Sequence, residues 1–63
     1  MMDDFDVIVK NIDDKIYQLR DFVATGNVND LSEYKATCGQ IRGLLTAREF
    51  VLDQKQKMEK FNG

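Results

Sequence analysis

The sequence predicts an all-α protein: an antiparallel helical hairpin whose second helix is the longer, packing on itself or on a larger partner. Two observations carry this. Apolar residues at Phe5, Ile8, Ile12, Ile16, Leu19 and Val23 are spaced 3, 4, 4, 3 and 4, the mark of one helix face. The pattern stops at Thr25-Gly26-Asn27 and restarts at Leu31, Tyr34, Cys38, Ile41 and Leu45, spaced 3, 4, 3 and 4. Two such stripes with a short connection form a helix pair turned back on itself.

The first helix is expected at about residues 4–25. Asp3 or Asp4 caps it, and Asp6 sits in the first turn, where the helix dipole favours negative charge. Asp6 and Lys10 form a favourable i,i+4 pair. Gly26 ends the helix, because glycine takes the left-handed conformation that a C-terminal cap requires. The second helix is expected at about residues 31–61. Asp30-Leu31-Ser32-Glu33 reads as a capping box, with Val28 packing at the entry. Lys55, Lys57 and Lys60 suit the negative end of this helix. In an antiparallel pair they fall near Asp3, Asp4 and Asp6. The predicted core is the first stripe plus Leu31, Tyr34, Cys38, Ile41, Leu45 and Leu52.

The chain is read as one domain over 1–63. So few residues bury only about 60% of the unfolded surface, which leaves a core marginal without a disulfide, metal or partner. A single cysteine forms no internal disulfide, and the absence of histidine removes the common zinc spacings. No cofactor, metal or small molecule is expected, and docking onto protein is the remedy that remains. A net charge of -2 gives no drive toward nucleic acid. No apolar run is long enough to cross a membrane. The acidic start Met1-Met2-Asp3-Asp4 is unlike a signal peptide. The expected setting is reducing.

The residues also argue against catalysis. Asp3-Asp4 and Asp13-Asp14 are adjacent on a helix, so their carboxylates diverge. Cys38 lies on the apolar stripe with no histidine to activate it, and reads as a small core residue. The candidate site is instead a partner interface. Leu44, Ala47, Val51 and Met58 form a second stripe beside the first, with Phe61 beyond it; the alternative is that Val51 and Met58 simply widen the hairpin core. Gly39 and Gly43 interrupt the long helix, each at a cost of about 1 kcal/mol against alanine. Close approach of another helix, either the first helix or a neighbouring subunit, accounts for them; a kink near Cys38-Gly39 is the alternative.

Residues 32–49 contain the pattern Y-x-x-x-x-G-x-I-x-G-L-x-x-A, from Tyr34 through Gly39, Ile41, Gly43 and Leu44 to Ala47. This resembles small two-helix proteins from the virion structural gene clusters of tailed bacteriophages. The resemblance implies a non-catalytic virion or assembly component, located in the virion or the bacterial host cytoplasm. It would oligomerise or dock on a capsid, portal or tail protein. The alternative is a small phage-type regulator that binds and inhibits a host enzyme. No catalytic residue is carried over.

Overall fold

The computed structural model describes residues 2–62. Two helices, α1 (Asp4–Ala24) and α2 (Leu31–Asn62), make an antiparallel hairpin, and α2 is the longer by eleven residues. The ends of both helices lie within one residue of where the capping signals put them.

Each boundary has a local cause. Asp3 accepts a hydrogen bond from the Asp6 N–H at 2.8 Å, and Asp6 accepts one back from the Asp3 N–H at 3.4 Å. This reciprocal box satisfies two of the donors that a helix start leaves free. At the other end of α1, the Gly26 N–H donates to the Val23 carbonyl, and the Asn27 N–H donates to the Phe22 carbonyl. That pair of bonds is a Schellman motif, and it places Gly26 at φ 77°, where a side chain would be strained. Asp30 caps α2 by accepting from the Glu33 N–H at 2.8 Å. The Glu33 carboxylate reaches past the cap to the Asn29 N–H.

The molecule measures 49 × 20 × 11 Å over its Cα atoms. A straight helix of α2's length spans about 48 Å, so α2 runs unbent from end to end. It is also continuous through Gly39 and Gly43, which rules out a break there. The short dimension is one helix thick. Side chains are therefore covered from one direction only, and Ile16, at 5% exposure, is the only buried apolar residue among those described.

The seam differs in part from the predicted core. On α1 it follows Phe5, Val9, Ile12, Ile16, Leu19 and Val23, all half-buried or buried and spaced 4, 3, 4, 3 and 4. Val9 takes the place expected for Ile8, which is 46% exposed on the edge. A 3.6-residue period tolerates either a three- or a four-residue step after Phe5, so the stripe alone does not choose between them. On α2 the correction is larger. The seam follows Thr37, Ile41, Leu44, Arg48, Val51 and Lys55, spaced 4, 3, 4, 3 and 4. Tyr34 and Leu45 are exposed, and Leu31 is 65% exposed. Cys38 and Leu52 are half-buried at the margin. The helix is turned by most of one residue step from the expected orientation.

Ion pairs explain that turn. Arg48 bonds Asp13 at 2.7 Å, and Lys55 bonds Asp6 at 2.5 Å with Asp3 at 3.6 Å. Asp6 and Asp13 are seven residues apart, as are Arg48 and Lys55, so two helical turns separate both pairs. One orientation of α2 brings both cations onto α1, and it carries Leu44 and Val51 inward with them. Of the three lysines expected near the α1 start, Lys55 crosses the seam; Lys57 instead pairs with Asp53 within α2. The expected Asp6–Lys10 pair does not form. Asp6 is held by Lys55 and by the Asp3 N–H, and Lys10 turns to Asp14 at 3.0 Å. Exposed pairs of this kind contribute about 0–1 kcal/mol each, so they set direction and register more than stability.

Candidate protein-interaction surface

The hairpin leaves two long edges open, and they differ in chemistry. One edge carries Asp6, Asp13, Tyr17 and Arg20 on α1 beside Leu45, Arg48 and Leu52 on α2. It is mixed and already charged. The other edge carries Ile8, Leu19 and Phe22 on α1, with Lys15 as its cation near mid-length. On α2 it follows Ala36, Gln40, Gly43, Ala47, Phe50, Gln54 and Phe61. From Ala36 to Gln54 these α2 positions are uncharged, but the same face carries Lys57 between Gln54 and Phe61, and Glu33 lies beside it near the loop. A shallow open groove between Leu19 and Phe22 on one side and Ala36, Thr37 and Gln40 on the other lies along this edge.

The expected interface residues divide between seam and edge. Leu44, Ala47 and Val51 are half-buried, and the seam itself absorbs Leu44 and Val51. Of the stripe read as core, Ile41 lies in the seam, Cys38 and Leu52 are half-buried, and Leu31, Tyr34 and Leu45 are exposed. Ala47 borders the seam and reaches the second edge. Met58 is exposed on the part of α2 near the α1 start, and Phe61 is 92% exposed. Gly39 and Gly43 lie on this second edge, and a Cβ built on either meets no atom within 4 Å. Close approach of α1 is therefore not their explanation; a solvated strip and the approach of a separate chain both fit the open space.

Two residues were not singled out from sequence. Phe50, 66% exposed, lies on the same edge as Gly43. Its signal is the 4, 3, 4, 3 spacing of positions 36, 40, 43, 47 and 50, displaced by one residue from the seam. Thr37 is 5% exposed in the seam, and its hydroxyl donates to the Glu33 carbonyl at 2.8 Å. Bonding within its own helix satisfies the hydroxyl, so threonine can fill an apolar position without an unmatched donor. Among the described residues no buried side-chain nitrogen or oxygen lacks a partner.

Two groups have displaced pKa values, and both belong to the seam. The hydrogen bond from Lys55, supported by the Asp3 N–H, holds the Asp6 carboxyl below the ordinary aspartate value. The same bond holds the Lys55 ammonium above the ordinary lysine value. A carboxyl depressed on folding stabilises the fold above its unfolded pKa, about 3.9, and that contribution is lost as pH falls through the lower folded value. An ammonium raised on folding stabilises below about 10.4, and the contribution is lost as pH rises through the higher folded value. Thermal melts are accordingly expected to hold level through neutral pH and to fall below about pH 4. Asp6→Asn removes part of that acid slope. An acid slope unchanged by Asp6→Asn would show that the pair is not coupled to folding.

No group of three or more metal-ligating side chains forms among the described residues. No described helix is long and apolar enough to cross a membrane. No family model, curated protein or solved structure matches the chain.

Proposed function

We propose that this chain is a non-catalytic structural or assembly protein that completes its fold against protein. The observation that carries the proposal is the burial pattern. Among the described residues one apolar side chain, Ile16, is buried, while ten large ones, including Tyr17, Phe50, Met58 and Phe61, stand exposed along both edges. Isolated exposed apolar residues are ordinary, but so many on so small a fold support a contact surface. The ionisable groups support the same reading. Asp3, Asp6, Asp13, Asp30, Arg48 and Lys55 are engaged in caps and in pairs across the seam, and the remaining charged groups lie along open surface.

The resemblance of residues 34–47 to small phage virion proteins supports a partner of that class. The chain serves as a small virion component in this proposal, oligomeric or docked on a capsid, portal or tail protein, with the host cytoplasm as its place of assembly. Mass spectrometry of purified particles tests it. The expected result is the chain present at a fixed multiple of the particle's symmetry. Its absence from particles, together with recovery in complex with one host enzyme, would replace this reading with that of a regulator.

A further inference from the structure

We propose that the edge through Tyr17 and Leu45 is the contact face for a second copy of this chain, packed antiparallel about a two-fold axis beside Leu45. The inference rests on the assembly reading above and deepens it by naming the first partner and the face it uses.

Periodicity gives the kind of partner. α2 carries two apolar repeats of seven residues. Thr37, Leu44 and Val51 lie in the seam with α1. Leu31, Cys38, Leu45 and Leu52 recur one position further round, with Tyr34 beside them, and α1 leaves them exposed or half-buried. A sustained heptad of this kind is the pattern that packs against a helix. One repeat is satisfied within the hairpin and the other is not. Tyr17, exposed on α1, stands over the open groove above Ile16 and Leu45 on the same edge.

Charge gives the identity and direction of the missing helix. The pairs Asp13–Arg48 and Asp6–Lys55 set Leu45 level with Ile16. A two-fold axis there, perpendicular to the helices, pairs each position with the one about equally far on the other side. Cys38 then meets the partner's Leu52, each seven residues from Leu45. Arg42, three before Leu45, meets the partner's Glu49, four after. On α1, Arg20, four after Ile16, meets the partner's Asp13, three before. Each match occurs twice. Arg20, Arg42 and Glu49 make no ion pair among the described residues of the single hairpin. Asp13 holds Arg48 at 2.7 Å through one oxygen and at 3.5 Å through the other, which leaves the second oxygen to the partner's Arg20. Of the other charges bordering this edge, Lys10 pairs with Asp14 within α1 and lies level with the partner's Asp21. Arg48 shares the level of the partner's Arg42 but sits on the opposite flank of its stripe, turned to Asp13. The rotation lays like flanks together, so these two guanidinia stay apart. A parallel pairing loses the matches and sets Cys38 on the partner's Cys38. An apolar centre rimmed by charges that meet their own complements is the anatomy of a self-recognising contact.

Charge reversal at exposed positions tests the arrangement in the full chain. Arg42→Glu sets carboxylates against carboxylates, and Glu49→Arg sets cations against cations. Each alone is expected to weaken self-association in sedimentation about tenfold or more, with helix content retained at high concentration. In an equimolar mixture of the two variants every reversed charge meets its opposite, and association is expected to return to the native strength. Under mild oxidation, Leu52→Cys with Cys38 retained is expected to cross-link, while the native chain and Leu52→Cys with Cys38→Ser stay single. Leu45→Ala is expected to weaken association, while costing the hairpin itself at dilution less than Leu44→Ala does. Native-strength association by both single variants would overturn the proposal. So would a mixture no stronger than either alone, or cross-linking of the native chain through Cys38. A native chain that stays monomeric and only partly helical would overturn self-pairing while leaving the need for some other protein. A monomer that melts sharply would overturn both readings.

Discussion

Ile16→Ala is expected to unfold the hairpin. Among the described residues Ile16 is the one buried apolar side chain. Truncating a buried isoleucine costs about 2–5 kcal/mol, through lost transfer energy and the cavity left behind. A domain of this length holds roughly 3–9 kcal/mol in total, so one substitution removes most of it. The same change at Ile8, on the open edge, is expected to cost far less folding energy. Chemical denaturation followed by circular dichroism reads both. Equal losses at the two sites would mean that the seam does not run through Ile16.

Leu44→Ala and Leu45→Ala are expected to differ by about 1 kcal/mol or more, with Leu44 the costlier. The two leucines are neighbours with identical hydropathy, yet Leu44 lies in the seam and Leu45 is exposed beside Arg48. The comparison reads the rotation of α2 directly. If Leu45 proved the costlier, α2 would present the Tyr34, Cys38 and Leu52 stripe to α1, and the Asp6–Lys55 and Asp13–Arg48 pairs would have to open.

The element boundaries were legible because their signals are local. Asp3 with Asp6, Thr25-Gly26 and Asp30 with Glu33 each act within a few residues of themselves. The rotation of α2 was not legible, because its seam passes through Thr37, Arg48 and Lys55 and is more polar than the stripe expected to be core, with which it shares Ile41. What decides between them is a relation between distant residues: the seven-residue interval of Asp6 and Asp13 recurs in Arg48 and Lys55. The proximity of Lys55 to the α1 start was visible as a charge match, but its consequence for the facing of Leu44 and Val51 was not drawn from it. The interface assignment divided for the same reason. Leu44 and Val51 belong to the hairpin's seam, whereas Gly39, Gly43 and Phe61 lie on exposed surface. Phe50 gives little signal in the sequence, since its stripe runs through glycine, alanine and glutamine and carries little hydropathy of its own.

The central claim is that this hairpin holds one seam closed internally and depends on contact along an edge for the rest of its stability. The most direct measurement is the melting temperature of the unmodified chain, followed by helix content, from low micromolar to millimolar concentration. Association that stabilises the folded form makes that temperature rise with concentration. The account predicts such a rise, with helix content approaching the 87% of the structure at the upper end. A sharp transition at one temperature throughout, from a chain that sediments as a monomer, would contradict it.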